Sequence, residues 1–284
     1  KNDTSDKKKK VTKKPGNEHE KTKYNVIICC DETFLNLPLG LIFNYFSSWD
    51  IIYKEFSYNM LLHRYKEQFS SEKDLQSQTQ DFTEVNYLNC LVNFDKNAYD
   101  KKEKIVHKDV QISNINELKN ILSSNNVLNK WPGCYFTKIQ NIQLEQYFSP
   151  PGFLYMSYKR LIDDMPINKF NFNLTGVNHA ILLENISISK FKTKAYKLSR
   201  KEMIRTILLF SLYGINNIYY QPYIVDLDTN KIILDTIFKC HGLPLNEVLL
   251  GLSYESKIPI SSYECFGLPT SLKIKTEKKE TASK

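Results

Sequence analysis

The sequence predicts an α/β fold built around a parallel sheet, and three observations carry that reading. The first is the stretch from Val177 to Val225, which reads as strand, helix, strand. An apolar run spans Val177 to Asn185. Met203, Ile204, Ile207, Leu208, Phe210 and Leu212 then give one helix a broad apolar face, and an Ile-, Val- and Tyr-rich run returns from Asn217 to Val225. Two strands joined through a crossover helix form a parallel unit. Second, the other strand candidates are short, nearly continuous apolar runs, the pattern of strands buried on both faces. Third, strands and helices alternate along the chain, with no internal repeat and no composition break between 24 and 272, so 24–272 reads as one domain.

Taken in order, Tyr24 to Asp31 is the first strand, and Asp31 to Leu39 is a loop because Pro38 forbids a continuing helix. Ile52 to Phe69 reads as an amphipathic helix, and the polar stretch from Gln68 to Thr83 as a surface connection. Val85 to Phe94 is the second strand, and Asp95 to Asp109 a charged loop. Ser113 or Asn114 caps a helix carrying Ile115, Leu118, Ile121 and Leu122, with Glu117 completing a capping box. Trp131-Pro132-Gly133 ends that region. A short helix at Ile142 to Phe148 stops at Pro150-Pro151, and Gly152 to Tyr158 is the third strand. Ser199 caps the crossover helix and Gly214 supplies its left-handed end. Asp235 to Cys240 and Asn246 to Leu252 are further helices, and beyond Ser261 the chain is loop and tail.

Charge is concentrated at the ends. Residues 1–23 hold nine lysines against four acids, and 273–284 hold five against two, so the tails carry the whole formal excess of +8. Both are too polar to bury a core and read as disordered flanks, or as an electrostatic tether to an acidic surface such as a microtubule or RNA. The formally neutral body argues against a nucleic-acid groove. No apolar run is long enough to span a bilayer, and no secretory h-region opens the chain, which reads as an intracellular protein with reduced thiols.

Few groups are arranged for chemistry. The nine glycines include no phosphate cradle. The five histidines are scattered, and neither they nor the six cysteines form a metal-ligand pattern, so no cofactor is expected. Asp163-Asp164 is a solvated pair before Pro166. Cys240-His241-Gly242 tempts as a thiol–imidazole pair, yet neighbours on a helix diverge by about 100°. Its plainer reading is a core cysteine followed by a helix end. His179, opening an apolar strand, is expected to be a satisfied structural histidine. Cys29 and Cys30 are expected to be inert inside the first strand.

Val26-Ile27-Ile28-Cys29-Cys30-Asp31 followed by Leu37-Pro38-Leu39 resembles the opening of CHAT domains, which belong with caspases and separases. Glu55-Phe56-Ser57-Tyr58-Asn59-Met60-Leu61-Leu62-His63-Arg64-Tyr65 is more particular. It resembles the carboxyl-terminal region of the cilia- and flagella-associated protein 46 family, components of the axonemal central apparatus. Tyr87-Leu88, Trp131-Pro132-Gly133, Phe153-Leu154-Tyr155, Ala180-Ile181-Leu182-Leu183 and the pair of elements from Met203 to Gln221 follow in matching order.

The resemblance implies a caspase-like (CHAT) fold, a three-layer sandwich with a mostly parallel central sheet. Active members of the wider peptidase group keep His-Gly after the third strand and Cys after the fourth. Carried onto this chain, those positions fall near Met156-Ser157 and near Asn185, and none of the three residues can do the work. The expectation is a structural or docking domain with no catalytic residue, no small-molecule substrate and no membrane contact. It would sit in the cytoskeleton of a cilium or flagellum, bound to other central-apparatus proteins and to microtubules through its tails. Gln68–Thr83 and Asp95–Asp109 are longer than the family pattern and are candidate contact elements. Two alternatives are an active cysteine peptidase using His241 or His179, and a component of an organellar ribonucleoprotein.

Overall fold

Short, nearly continuous apolar runs form strands where a parallel sheet is covered on both faces. In the computed structural model, β6 (Gly152–Ser157) and β7 (His179–Glu184) are such runs, the first buried at every position. The residues described are 25–35, 37, 39, 51–68, 82–94, 108–137, 146–157, 161, 174, 176–184, 200–221, 227–239, 242–255, 263–269 and 271–275. The predicted crossover is present. Helix α5 (Arg200–Leu212) leads to β8 (Asn217–Tyr220), which pairs parallel with β7 from His179↔Asn217 to Leu182↔Tyr220. Gly214 takes φ +103, and Ile215 N–H turns back to Phe210 O at 3.0 Å, closing the helix as the sequence predicts.

Around this unit stands an eight-stranded sheet that also contains β1 (Asn25–Cys29), β2 (Ile51–Glu55), β4 (Asn89–Asn93), β5 (Gly133–Tyr135) and β9 (Glu264–Gly267). The order is β1-β2-β9-β8-β7-β6-β4-β5. Only the β8–β9 pairing is antiparallel, so two parallel blocks meet there and run in opposite directions. Helices cover both faces. On one, α3 (Lys108–Ser124), α6 (Leu227–Lys239) and α7 (Leu245–Glu255) set Leu118, Leu122, Leu234, Phe238 and Leu249 against Val92, Leu154, Met156, Leu183 and Tyr219. On the other, Ile204, Ile207 and Phe210 of α5 pack on Phe153, Tyr155, Leu182, Ile218 and Phe266. The α/β class and the mostly parallel central sheet are therefore as the sequence predicts.

Several elements differ. The expected helix from Ile52 is a strand, β2, followed by α2 (Tyr58–Gln68). Ser57 accepts Met60 N–H at 3.2 Å and so starts the helix where the strand has ended. The apolar spacing of Ile52, Phe56 and Met60 imitates one helix across a strand–turn–helix. The single strand expected from Val85 is two: β3 (Phe82–Val85) leaves the main sheet and pairs with β10 (Ser271–Ile274), and β4 enters it. A helical turn, α1 (Glu32–Leu35), occupies part of the expected loop after β1. Helix α3 begins at Lys108, so Ser113 and Glu117 lie within it rather than at its cap, and Glu117 instead holds Lys231 of α6. A short turn of helix, α4 (Val127–Lys130), leads through Trp131-Pro132 into β5, so the expected end at Trp131-Pro132-Gly133 is the entry to a strand. Helix α6 starts at Leu227, two turns ahead of expectation.

The largest correction lies at the carboxyl end, where loop was expected beyond Ser261. There β9 joins the two halves of the sheet, and β10 runs to Ile274, past the expected end of the body. Lys273 and Lys275, counted with the basic tail, each lie 3.7 Å from Glu84. The predicted Ile142–Phe148 helix and both proposed contact insertions fall wholly or largely outside the described residues.

Candidate functional site

In open α/β sheets, ligands gather outside the carboxyl ends of the strands, at the point where the strand order reverses. Within the block β4 to β8 that point is between β4 and β6, where the chain order turns from β5-β4 to β6-β7-β8. It is lined by Asn93 and Ser157, which lie opposite each other in register, and continues to Glu184 opposite Ser157. This is the edge to which the sequence assigned Met156, Ser157 and Asn185.

Met156 is fully buried, packed in the core between Val92 and Leu183. Ser157 is also buried, and its hydroxyl donates to Asn93 O at 3.0 Å. Glu184 Oε1 accepts Leu161 N–H at 3.0 Å, holding the chain after β6 against the end of β7. Asn185 lies outside the described residues. The edge therefore offers a thioether, a hydroxyl already donating to a carbonyl, and a carboxylate occupied by a backbone amide. A nucleophile needs a base within hydrogen-bond reach.

His179 is not that base. It opens β7 at the opposite edge, five residues from Glu184, which is roughly 16 Å along a strand. Burial holds its imidazole down to about 3, so it is neutral, and among the described residues neither ring nitrogen has a hydrogen-bond partner. The expected satisfied histidine thus has no described hydrogen-bond partner, and its ring centroid stands 6.2 Å from that of Tyr219 with the planes 26° apart. Cys29 and Cys30 correct a second expectation: they stand at the exit of β1, Cys29 exposed and Cys30 half-buried. Partial burial still raises both thiols, with Glu55 adding to the effect on Cys29 and Lys54 opposing it on Cys30. Because β1 runs against β7, these thiols share the edge of His179. Four strand spacings separate them, roughly 19 Å, too far for a dyad. Cys90, deep in β4, is pushed up to about 12 by burial, and Cys265 is also raised by burial. Cys240 and His241 lie outside the described residues; α6 ends at Lys239, and Gly242 follows with φ +81.

What the sequence reading missed are polar groups buried where the two blocks of the sheet meet. Lys54, 1% exposed, donates to Leu35 O at 3.1 Å, Leu37 O at 2.7 Å and Glu264 Oε1 at 2.7 Å. Tyr220 O–H donates to the other Glu264 oxygen. Every donor of the ammonium and both carboxylate oxygens are used, so this cluster balances its charge and binds β2, β9, β8 and the turn after β1 together. Beside it Glu55 and Arg64 form a buried pair at 2.7 Å, and Arg64 also donates to Ile215 O. A third set joins Gln221 and Asn230 side by side through both amides, with Tyr263 O–H accepting from Gln221 at 3.1 Å. A Lys-Glu pair inside the run Ile51-Ile52-Tyr53-Lys54-Glu55 is the one sequence signal that could have marked them.

Among the described residues no three His, Cys, Asp or Glu side chains gather as a metal site would require, and no helix is long and apolar enough to cross a membrane. The sheet defines an α/β protein, and at the carboxyl edge the described Ser157 and Glu184 are held by hydrogen bonds within the chain. The chain matches no family model and no curated protein.

Proposed function

We propose that the chain is a non-catalytic, caspase-like (CHAT) domain serving as a structural or docking component of the central apparatus of a motile cilium or flagellum. The observation that carries the reading is what stands at the ends of β6 and β7. Counted from β4 through the parallel block alone, with β5 included and β1 and β2 of the opposed block left out, these are the third and fourth strands. Those are the strands after which active relatives of the suggested family keep their histidine and cysteine. Here Met156-Ser157 ends the third, and Glu184 with Asn185 follows the fourth. Methionine accepts no proton at neutral pH, and a carboxamide is a poor nucleophile. The domain would contribute surface rather than bond breaking. Its partners would be other central-apparatus proteins, with microtubules engaged by the lysines of residues 1–23.

Localisation tests this directly. A tagged chain expressed in a ciliated cell should decorate the central pair, and a signal absent from the axoneme would overturn the assignment. Catalysis is tested separately with a cysteine-directed electrophile. Among the described cysteines we expect slow labelling of exposed Cys29; rapid labelling abolished by Cys240→Ala or Cys265→Ala would restore a peptidase.

A further inference from the structure

Strands β1 and β2 share five register pairs, and the elements beside them are tied to them by buried bonds. Arg64 of α2 pairs with Glu55 of β2 at 2.7 Å, and Lys54 of β2 donates to Leu35 O in α1 and to Leu37 O just after it. Towards the rest of the sheet the joint is thinner. Strands β2 and β9 share two register pairs, against four between β9 and β8. The apolar core divides at the same place. Among the described residues, the core under α3, α6 and α7 takes no side chain from β1, α1, β2 or α2. The core under α5 takes Leu35, with Cys30 and Phe56 packed at its margin. Much of what crosses the seam is polar: Lys54 to Glu264 at 2.7 Å, Arg64 to Ile215 O, and Asn246 Nδ2 to the Tyr53 hydroxyl at 3.0 Å. Such groups regain water when they part, so opening here forfeits less than parting an apolar interface of the same extent.

We propose that β1, α1, β2 and α2 form a lobe that opens as one unit at the β2–β9 seam, while β9 stays on β8 and the remaining elements keep their fold. The lobe is contiguous in sequence, as cooperative opening units commonly are, whereas β9 arrives from the far end of the chain. Its internal bonds, Lys54 to the carbonyls about α1 and Glu55 to Arg64, survive the opening, so the four elements move together. Strand β9 marks the boundary. Leu268 N–H donates to Asn216 O at 3.3 Å, and backbone groups alternate sides along a strand. The amides of Phe266 and Glu264 therefore address β8, and that of Cys265, in register with Tyr53, addresses β2. Opening frees the Cys265 amide and leaves its neighbour bonded.

Native-state hydrogen exchange of the full chain, read residue by residue in rising urea below the unfolding transition, tests this. The protected amides of β1, β2 and α2 should converge on one opening with one urea slope, smaller than the slope of global unfolding because less surface is exposed. Cys265 N–H should exchange with that group, and Phe266 N–H, one residue on, with β6 and β7. A substitution in the other part of the molecule supplies a second reading. Leu118, fully buried under α3, keeps its contacts while the lobe is open. Leu118→Ala should speed exchange at β6 and β7 about thirtyfold or more and leave the lobe's exchange unchanged. Cys265 and Phe266 exchanging together, or Leu118→Ala acting equally on β2 and β6, would mean that the sheet opens only as a whole, and overturns the proposal. Unrelated openings in β1, β2 and α2 would mean separate fraying of each element, and overturn it equally.

Discussion

Lys54 carries its ammonium into the interior beside Glu264, and both are nearly inaccessible to water. Two charges held there are tolerable because each carboxylate oxygen and each ammonium proton has a partner; remove one, and the other is left uncompensated. Lys54→Met is therefore expected to cost about 3–5 kcal/mol, measured by urea unfolding. Lys54→Met combined with Glu264→Gln should recover part of that loss, because no bare charge remains. His179 makes the opposite case, a titratable group buried with no hydrogen-bond partner among the described residues. Its pKa is about 3 folded against about 6.5 unfolded. Below the unfolded value the unfolded chain binds the extra proton, so this residue's contribution is complete above that pH and drains as pH falls towards the folded value. Between pH 7 and pH 5 the loss is about 2 kcal/mol. His179→Leu should flatten the stability difference across that window; an unchanged slope would mean the ring is charged or hydrated in the fold.

Among the elements, the seam between β2 and β9 is the shortest joint between the major strands. It has two register pairs, Tyr53↔Cys265 and Lys54↔Phe266, whereas β6 and β7 share six. Much of what reinforces it is polar: Lys54 to Glu264, Arg64 to Ile215 O, and Asn246 Nδ2 to Tyr53 O–H at 3.0 Å, with Phe56 on Phe266 at 5.0 Å as its aromatic contact. Backbone amides of β2 and α2 are accordingly expected to exchange through an opening of lower free energy than those of β6 and β7, and Lys54→Met should lower it further. Equal protection across both would make the sheet one cooperative unit. At the other side of β9, Gly267 takes φ +107, and a Cβ there would run into Asn216 O. Gly267→Ala should cost more than the roughly 1 kcal/mol typical of a point change, read as a fall in Tm.

For the molecule as a whole, the formal excess of positive charge lies towards the two ends of the sequence, with Lys273 and Lys275 of the carboxyl end on and beside β10. Deleting residues 1–23 should leave Tm unchanged and abolish co-sedimentation with microtubules at low salt. Retained binding would move the contact to the body. Two opposed parallel blocks also explain why one functional edge cannot be read as if all strands ran together. The carboxyl ends of β1 and β2 lie beside the amino ends of β7 and β8, so residues that look equivalent in the sequence stand at opposite edges.

How much was legible follows from range. Strands β1, β4, β6, β7 and β8, the crossover helix with its glycine stop, and α7 were readable because uninterrupted apolar runs and a 3.6-residue stripe are local signals. The strand–turn–helix from Ile51 was misread because three apolar residues at helical spacing straddle a junction, and β5, β9 and β10 because three or four residues are too few to show a period. The absent dyad at Met156 and Ser157 was visible as residue type alone, since no fold turns a thioether into a base. Pairing, by contrast, is a relation between distant segments. That Lys54 meets Glu264 and that β9 reverses the sheet depend on which strands lie side by side, and hydrogen bonds between residues some two hundred positions apart leave no trace in the order of amino acids around either one.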